Sequence, residues 1–181
     1  MRIKVFNFLL IFVITGAAFY SCKKTTSQMQ RDQEADYIKR YAEKYMQGAT
    51  VTPSGFHYLE TKAGKDTTTI KTGDMVKVFY SGYLIQDTIN EGIKKGAMFD
   101  TSGDFEPFSF VVGGGTVITG WDEAIRLMKD GGEATWLIPS RLAYSGQPQN
   151  GIPAYSPLVF DVRIYRVYRA GDTFPVISKK P

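Results

Sequence analysis

The sequence predicts an α+β fold in which an antiparallel β-sheet wraps around one short helix. Two observations carry this prediction. From Thr50 onward, short segments alternate apolar and polar residues, as strands do in an antiparallel sheet with one buried face and one face in solvent. Within that region only the segment around Trp121 spaces its apolar residues at the helical period instead.

Four segments show the alternation most clearly. The first is Met75 to Leu84, where Val76, Val78 and Tyr80 share a face. Each of the other three segments also has one apolar face. The residues on these faces are Phe108, Phe110 and Val112; Ala134, Trp136 and Ile138; and Leu158, Phe160, Val162 and Ile164. In the last strand the opposite face carries Asp161, Arg163 and Tyr165, so one wet side of the sheet is expected. The sequence shows neither an internal repeat nor a second domain.

The central helix is predicted from an apolar stripe at i, i+3, i+4 and i+7, formed by Trp121, Ala124, Ile125 and Met128. Thr119, with Asp122 three residues later, resembles a capping box. Gly131 and Gly132 are suited to end the helix in the left-handed conformation. Because Thr119 and Gly120 turn the chain sharply, Trp121 is expected at the mouth of the concave side of the sheet.

The first 22 residues have the pattern of a secretory signal. Arg2 and Lys4 precede an apolar run from Val5 to Tyr20, and the only cysteine, Cys22, follows. The run, at roughly 16 residues, is short for a membrane span. A lone cysteine at the expected cleavage point resembles the acylated cysteine of bacterial lipoproteins, so lipidation of Cys22 is predicted. An ordinary signal or signal anchor is the alternative, and either places the functional domain outside the cytoplasm.

The predicted organisation has four parts: residues 1–22 as the signal, 23–49 as a tether and amphipathic helix, 50–169 as the folded domain, and 170–181 as a tail. Lys23 to Gln30 is polar and is predicted to be a flexible tether. Arg31 to Gln47 is predicted to be helical from the stripe Ile38, Tyr41, Ala42 and Tyr45, with Gly48 as the stop. This helix could dock on the domain or contact a partner.

The side-chain inventory excludes several function classes. With His57 as the only histidine, expected at a strand edge, the chain lacks the parts of a His-rich metal site or a Ser-His-Asp triad. The glycine run 113–115 is not followed by the Gly-Lys-Ser/Thr of a phosphate loop. Basic residues are scattered, which argues against a nucleic-acid-binding face. No metal or cofactor is therefore expected.

Five segments match one protein family in order and spacing. They are VKVFYSGYL, AMFDTS, EPFSFVVGGGTVITGWDEAI, GGEATWLIPSRLAYSG and GIPAYSPLVFDVRI. Together they resemble an FKBP-type peptidyl-prolyl cis-trans isomerase, over roughly Val51 to Tyr168. The resemblance implies the FKBP-like fold, an antiparallel sheet curled around one short helix. It also implies an isomerase that works without a cofactor, and assigns residues 50–169 as the isomerase domain.

The resemblance further implies which residues act. Catalytic roles fall on Tyr80, Phe99, Asp100 and Tyr144. Substrate-binding roles fall on Phe108, Val117, Ile118, Trp121, Ile152 and Phe160. Trp121 is implied to form the floor under a proline ring, and the Ile118 N–H to bind a carbonyl of the ligand. The Tyr80 hydroxyl is implied to donate a hydrogen bond to Asp100.

The predicted function is prolyl isomerisation that assists the folding of cell-envelope proteins. The partners are proline-containing polypeptides and macrolide inhibitors, and the domain is anchored to a membrane by lipid, facing the periplasm or the exterior. The alternative is a non-catalytic docking or assembly module with the same pocket. An extracellular sugar-binding module would need an exposed aromatic platform, whereas these aromatic residues are expected to point inward.

One segment departs from the family pattern. Leu84 to Met98, with the sequence LIQDTINEGIKKGAM, is longer than the tight hairpin that is usual in the family. Its polar, glycine-containing composition predicts a mobile flap beside the pocket that controls access of protein clients.

Overall fold

The computed structural model describes residues 24–65 and 69–172. The predicted signal, the candidate lipidation site Cys22 and most of the predicted tail lie outside these residues. Within the described part of the chain, no helix combines the length and the apolar composition that crossing a membrane requires.

An antiparallel sheet forms the body of the protein. In the described residues its seven strands are β1 (Thr50–Val51), β2 (His57–Lys62), β3 (Met75–Thr88), β4 (Gly92–Thr101), β5 (Phe108–Val111), β6 (Glu133–Ile138) and β7 (Leu158–Tyr168). The order is β1-β2-β6-β7-β3-β4, and β5 pairs with the first residues of β3. The predicted α+β fold with an antiparallel sheet is confirmed.

The main hydrophobic core lies between this sheet and the short helix α2 (Thr119–Ile125). The stripe residues Trp121, Ala124, Ile125 and Met128 are all buried, as their spacing predicts. They pack against the alternating residues of the strands, among them Val76, Val78, Phe110, Trp136, Ile138, Phe160 and Ile164. Periodicity therefore predicts both surfaces of this core.

The predicted capping of α2 is wrong. The N-cap is Ile118, whose backbone is extended, so Thr119 already lies in the first turn and cannot cap it. The Asp122 carboxylate instead accepts the Gly113 N–H at 2.7 Å, which ties the helix to the glycine run. The helix ends at Ile125, so Gly131, although left-handed with φ 74°, belongs to the turn before β6.

The N-terminal helix α1 (Thr26–Tyr45) begins inside the segment that is predicted to be a flexible tether. Thr25 is its N-cap: the Thr25 side chain accepts the Gln28 N–H at 3.2 Å, and the Gln28 side chain accepts the Thr25 N–H at 2.9 Å. This reciprocal capping box satisfies two N–H groups that the first turn leaves unpaired. The helix therefore starts five residues earlier than the apolar stripe indicates.

Helix α1 docks on the domain, which is one of the two alternatives that the sequence left open. Tyr41, Met46, Ile93, Leu137 and Val159 form a second buried cluster under it. Because Leu137 and Val159 alternate with core residues along β6 and β7, they lie on the opposite face of the sheet. The expectation of one wet side is therefore wrong at this end of the sheet.

The segment 84–98 is a paired hairpin and not a loose flap. Strands β3 and β4 stay paired up to Thr88 opposite Gly92, with shifts of register on either side of Tyr83. Near the tip, Asp87 accepts two hydrogen bonds from the Arg40 guanidinium of α1, at 2.7 and 3.0 Å. The Tyr45 hydroxyl donates to the carbonyl of Ile93 at 3.2 Å. The extra length of this hairpin therefore forms the surface on which α1 rests.

Candidate active site

A cavity of about 370 Å³ opens beside α2, on the side of the sheet opposite to α1. The residues that line it come from β3, β4, β5, β7, α2, the segment before α2 and the loop after β6. They are Tyr80, Phe99, Asp100, Phe108, Gly115, Thr116, Val117, Ile118, Trp121, Tyr144 and Phe160. The structure thus brings together the predicted site residues with one exception.

Ile152 is the exception. It is 5% exposed and belongs to the main core, but it is not among the residues that line the cavity. Its backbone exchanges hydrogen bonds with Gln149, which closes a tight turn. Two further lining residues, Gly115 and Thr116, are not predicted from the sequence, because the glycine run was tested only as a phosphate loop. Their position directly before Val117 was the available signal.

Trp121 forms the floor of the cavity and is 4% exposed. The rings around it lie with centroids 4.8 to 5.9 Å away and with planes at 63 to 90° to the indole; they are Tyr80, Phe108, Phe110, Trp136 and Phe160. Edge-to-face contacts of this kind match the positive edge of one ring to the negative face of the next. The indole is therefore held in place before any ligand arrives.

Gly120 explains how a tryptophan can occupy the first turn of α2. A Cβ atom at this position would lie 2.5 Å from Cγ2 of Ile138 and 3.2 Å from the Leu142 carbonyl oxygen. Only glycine lets the first turn approach β6 this closely. The approach places Trp121 against Trp136 at the base of the cavity.

Tyr80 and Asp100 form a hydrogen-bonded pair in the wall of the cavity. The Tyr80 hydroxyl donates to Oδ2 of Asp100 at 2.7 Å, and the Thr101 N–H donates to Oδ1 at 2.9 Å. Burial raises the pKa of Tyr80, and the hydrogen bond to Asp100 raises it further. Burial, with a smaller effect of the Asp100 charge, also raises the pKa of Tyr144. Both hydroxyl groups are therefore protonated donors at neutral pH.

The Ile118 N–H is an unused donor at the cavity. Ile118 is the N-cap of α2, so its N–H precedes the first bond of the helix. Among the hydrogen bonds of the described residues, none uses this N–H. A carbonyl group in the cavity could therefore accept it without displacing a protein partner.

The described residues contain no group of three His, Cys, Asp or Glu side chains placed to hold a metal ion. His57 is half-buried at the start of β2 and is not a cavity residue. Burial lowers the pKa of His57, so the imidazole is neutral at pH 7. The cavity thus offers an apolar floor, hydrogen-bond donors and one carboxylate.

Comparison with known proteins agrees with this geometry. Residues 66–165 match the sequence profile of the family described as FKBP-type peptidyl-prolyl cis-trans isomerase. The chain belongs to this family.

Three relatives illustrate the similarity. The FK506-binding protein 4 of Gibberella zeae is 41% identical over 99 residues, which are 55% of this chain and 18% of that protein. The probable FKBP-type peptidyl-prolyl cis-trans isomerase FkpA of Neisseria meningitidis is 35% identical over 146 residues, 80% of this chain and 48% of that protein. The crystal structure of FkpA from Escherichia coli superposes with a TM-score of 0.65 at 34% identity, covering 80% of this chain and 62% of that one. The chain thus spans less than two thirds of each of these relatives.

Proposed function

We propose that this member of the FKBP family is an active peptidyl-prolyl cis-trans isomerase that acts on proline-containing polypeptides. The observation that carries the proposal is the cavity over Trp121, whose wall contains the Tyr80–Asp100 pair. Its aromatic floor fits a proline ring, and its polar groups suit the amide that precedes the ring.

The chemistry of prolyl isomerisation needs no more than this cavity contains. Rotation about a peptide bond crosses a barrier of about 18–20 kcal/mol because the amide loses its resonance on the way. No covalent bond is broken, so neither a nucleophile nor a metal is required. A thousandfold acceleration needs about 4 kcal/mol of preferential binding of the twisted amide.

The cavity can favour the twisted amide in two ways. The fixed indole of Trp121 holds the proline ring, so that only the acyl side must rotate. The Ile118 N–H binds a carbonyl of the ligand, while the Asp100 carboxylate and the Tyr80 hydroxyl favour the altered charge distribution of the twisted state. Since these groups are already in place, little reorganisation accompanies the rotation.

The test is an exchange measurement on residues 23–181. We expect this protein, with a chelator present, to accelerate cis/trans exchange of a short Xaa-Pro peptide in NMR exchange spectra. The fungal relatives are named for binding FK506, and we expect that macrolide to suppress the exchange by occupying the cavity. If the folded protein at micromolar concentration leaves the exchange uncatalysed, the alternative of a non-catalytic docking module replaces the enzyme.

We also propose that the domain works at the cell envelope, on envelope proteins, from a lipid anchor on Cys22. The signal-like sequence supports this, with Arg2 and Lys4 before an apolar run that ends near Cys22. The first residue of α1 is Thr26, so the anchor would hold the domain close to the membrane surface. One acyl chain binds a membrane only reversibly, so stable attachment requires several chains.

Substitution of the cysteine tests the anchor. We expect the full-length protein to partition into detergent in a phase-separation assay, and Cys22→Ser to move to the aqueous phase or to stay uncleaved. Ser27→Ala, in the first turn of α1, is the matched control and should partition as the unchanged protein does. Unchanged partitioning and processing of Cys22→Ser would exclude the lipid anchor.

A further inference from the structure

We propose that Glu34 of helix α1 is a positioning residue of the isomerase site, which acts through Ser140 on the loop that carries Tyr144. The inference rests on the isomerase function proposed above. It gives the N-terminal helix a part in the site, although the helix lies on the far side of the sheet from the cavity.

The contact between Glu34 and Ser140 uses both carboxylate oxygens. Oε1 accepts the Ser140 N–H at 2.5 Å and Oε2 accepts the Ser140 hydroxyl at 2.9 Å. Ser140 is 3% exposed and begins a short 3-10 turn, Ser140–Leu142. The residue before it, Pro139, makes no side-chain cap, so the carboxylate of α1 serves as the cap instead. Hydrogen bonds to a carboxylate are roughly twice as strong as neutral ones.

Ser140 in turn sets the path of the Tyr144 loop. Its carbonyl accepts the N–H groups of Ala143 and Ser145, both at 2.8 Å, and Tyr144 lies between these two donors. Ser145 has a φ of 52°, in the left-handed region that a residue with a side chain adopts only when its surroundings enforce it. The geometry that points Tyr144 into the cavity therefore depends on the position of Ser140.

An open groove lies between α1 and this loop. A cavity of about 480 Å³ separates them, lined by Arg31, Glu34, Ala35, Ile38, Ser140, Arg141, Ser145, Gly146 and Tyr155. The Arg31 guanidinium lies over the Tyr155 ring, 5.6 Å from its centroid. Within residues 24–65 and 69–172, the Glu34 carboxylate accepts the hydrogen bonds that join α1 to this loop.

Loss of the carboxylate would leave two buried donors of Ser140 without partners and free the loop to shift. A displacement of about 1 Å in a catalytic group can cost about a hundredfold in rate. The remaining bonds of the loop limit the shift, so a smaller loss of kcat/KM, about three- to tenfold, is expected from Glu34→Ala.

The kinetic experiment compares three variants of residues 23–181. Glu34→Ala should lose activity as stated, and Glu34→Gln, which keeps an acceptor oxygen at the same place, should recover most of it. Glu43→Ala is the matched control: Glu43 is exposed on the same helix, and its side chain has no partner within residues 24–65 and 69–172. It should match the unchanged protein. In a Tyr144→Phe background, Glu34→Ala should cost less than it does alone, because coupled positions are not additive.

Amide hydrogen exchange gives a readout that does not depend on activity. Glu34→Ala should speed exchange of the Ser145 N–H by about tenfold or more and leave the amides of β7 unchanged. Equal acceleration in β7 would mean general destabilisation and would overturn the inference, as would unchanged kcat/KM together with unchanged Ser145 exchange. If Glu34→Ala does not fold, Glu34→Asp, too short to reach Ser140, replaces it. If the unchanged protein shows no isomerase activity, the proposed function fails, while Ser145 exchange still decides the role of Glu34.

Discussion

The two hydrophobic clusters of this protein differ in composition and in access. The cluster around Trp121, called the pocket cluster here, is rich in aromatic rings and opens into the cavity. The cluster of Tyr41, Met46, Ile93, Leu137 and Val159, called the helix cluster, is mostly aliphatic and is covered by α1. The Arg40–Asp87 ion pair flanks the helix cluster. The pocket cluster borders a space that a ligand can enter, whereas the helix cluster is covered by α1.

Both clusters are built on the same pair of strands. Trp136 faces Phe160 in the register of β6 and β7 on the cavity side, and the next pair, Leu137 and Val159, faces α1. Neighbouring residues of one strand therefore belong to different clusters, because successive side chains of a strand point to opposite faces. Truncations on the two faces should thus separate ligand binding from stability.

The largest effect is expected from Trp121. Trp121→Ala removes the floor of the cavity and should lower kcat/KM by about a hundredfold or more. The free energy of unfolding should fall by about 3–5 kcal/mol, as it does for other large buried side chains. Trp121→Leu keeps an apolar floor and should retain part of the activity. Urea denaturation and NMR exchange measure the two quantities.

Leu137→Ala is the matched truncation in the helix cluster. It should cost about 2–5 kcal/mol of stability, yet leave kcat/KM of the folded protein within about twofold. If it reduced kcat/KM as strongly as Trp121→Ala, the two faces would not be separable and the comparison would fail.

Asp100 should have the next largest effect. Asp100→Val removes the acceptor of the Tyr80 hydroxyl, so kcat should fall by about tenfold while KM changes little, because the lost interaction acts on the twisted state. Asp104→Val removes an exposed carboxylate four residues later and serves as the control. Wild-type turnover in Asp100→Val, across the accessible pH range, would exclude an electrostatic part of the mechanism.

The periodicity of apolar residues predicted the strands and the central helix of this fold. The strands with Val76, Phe110 and Phe160 and the stripe that begins at Trp121 follow from spacing alone, since each pattern is contained in a few residues. The capping box at Thr25 is equally local, but the polar sequence around it favours a tether. The ion pair between Arg40 and Asp87 could not be predicted from the sequence. The two residues are 47 positions apart, and no local pattern connects them.

The candidate site depended on the family resemblance more than on periodicity. Alternation places Tyr80 and Phe108 on an inner face, but it does not distinguish a cavity wall from ordinary core. Ile152 lies in the core and is not among the residues that line the cavity, and its substrate-binding role stays a prediction. The roles assigned to Tyr80, Phe99, Asp100 and Tyr144 stay predictions.

The smallest effect concerns the helix cluster at high pH. Burial, with a smaller effect of the Asp161 charge, raises the pKa of Tyr41, whereas a tyrosine in the unfolded chain ionises near pH 10. The stability that neutral Tyr41 contributes is thus complete below about pH 10 and is lost as the pH rises further, by about 1.4 kcal/mol per pH unit. Tyr41→Phe should remove this part of the slope in urea denaturation at pH 10 to 11. The exposed Tyr165→Phe is the control, and equal slopes in all three proteins would contradict the prediction.

The position of α1 also determines at which stage of folding this helix can dock on the domain. The helix precedes the sheet in the chain, but its docking surface includes Leu137 and Val159, and Glu34 must bond Ser140 across 106 residues. Strand β3 likewise pairs from Met75 to Leu84 with β7, near the C-terminal end of the described chain. Contacts between such distant segments slow folding to the millisecond-to-second range, and a helix in a protein owes most of its stability to the surface on which it packs. Helix α1, although it is synthesised before the strands on which it docks, is therefore among the last elements to reach its place.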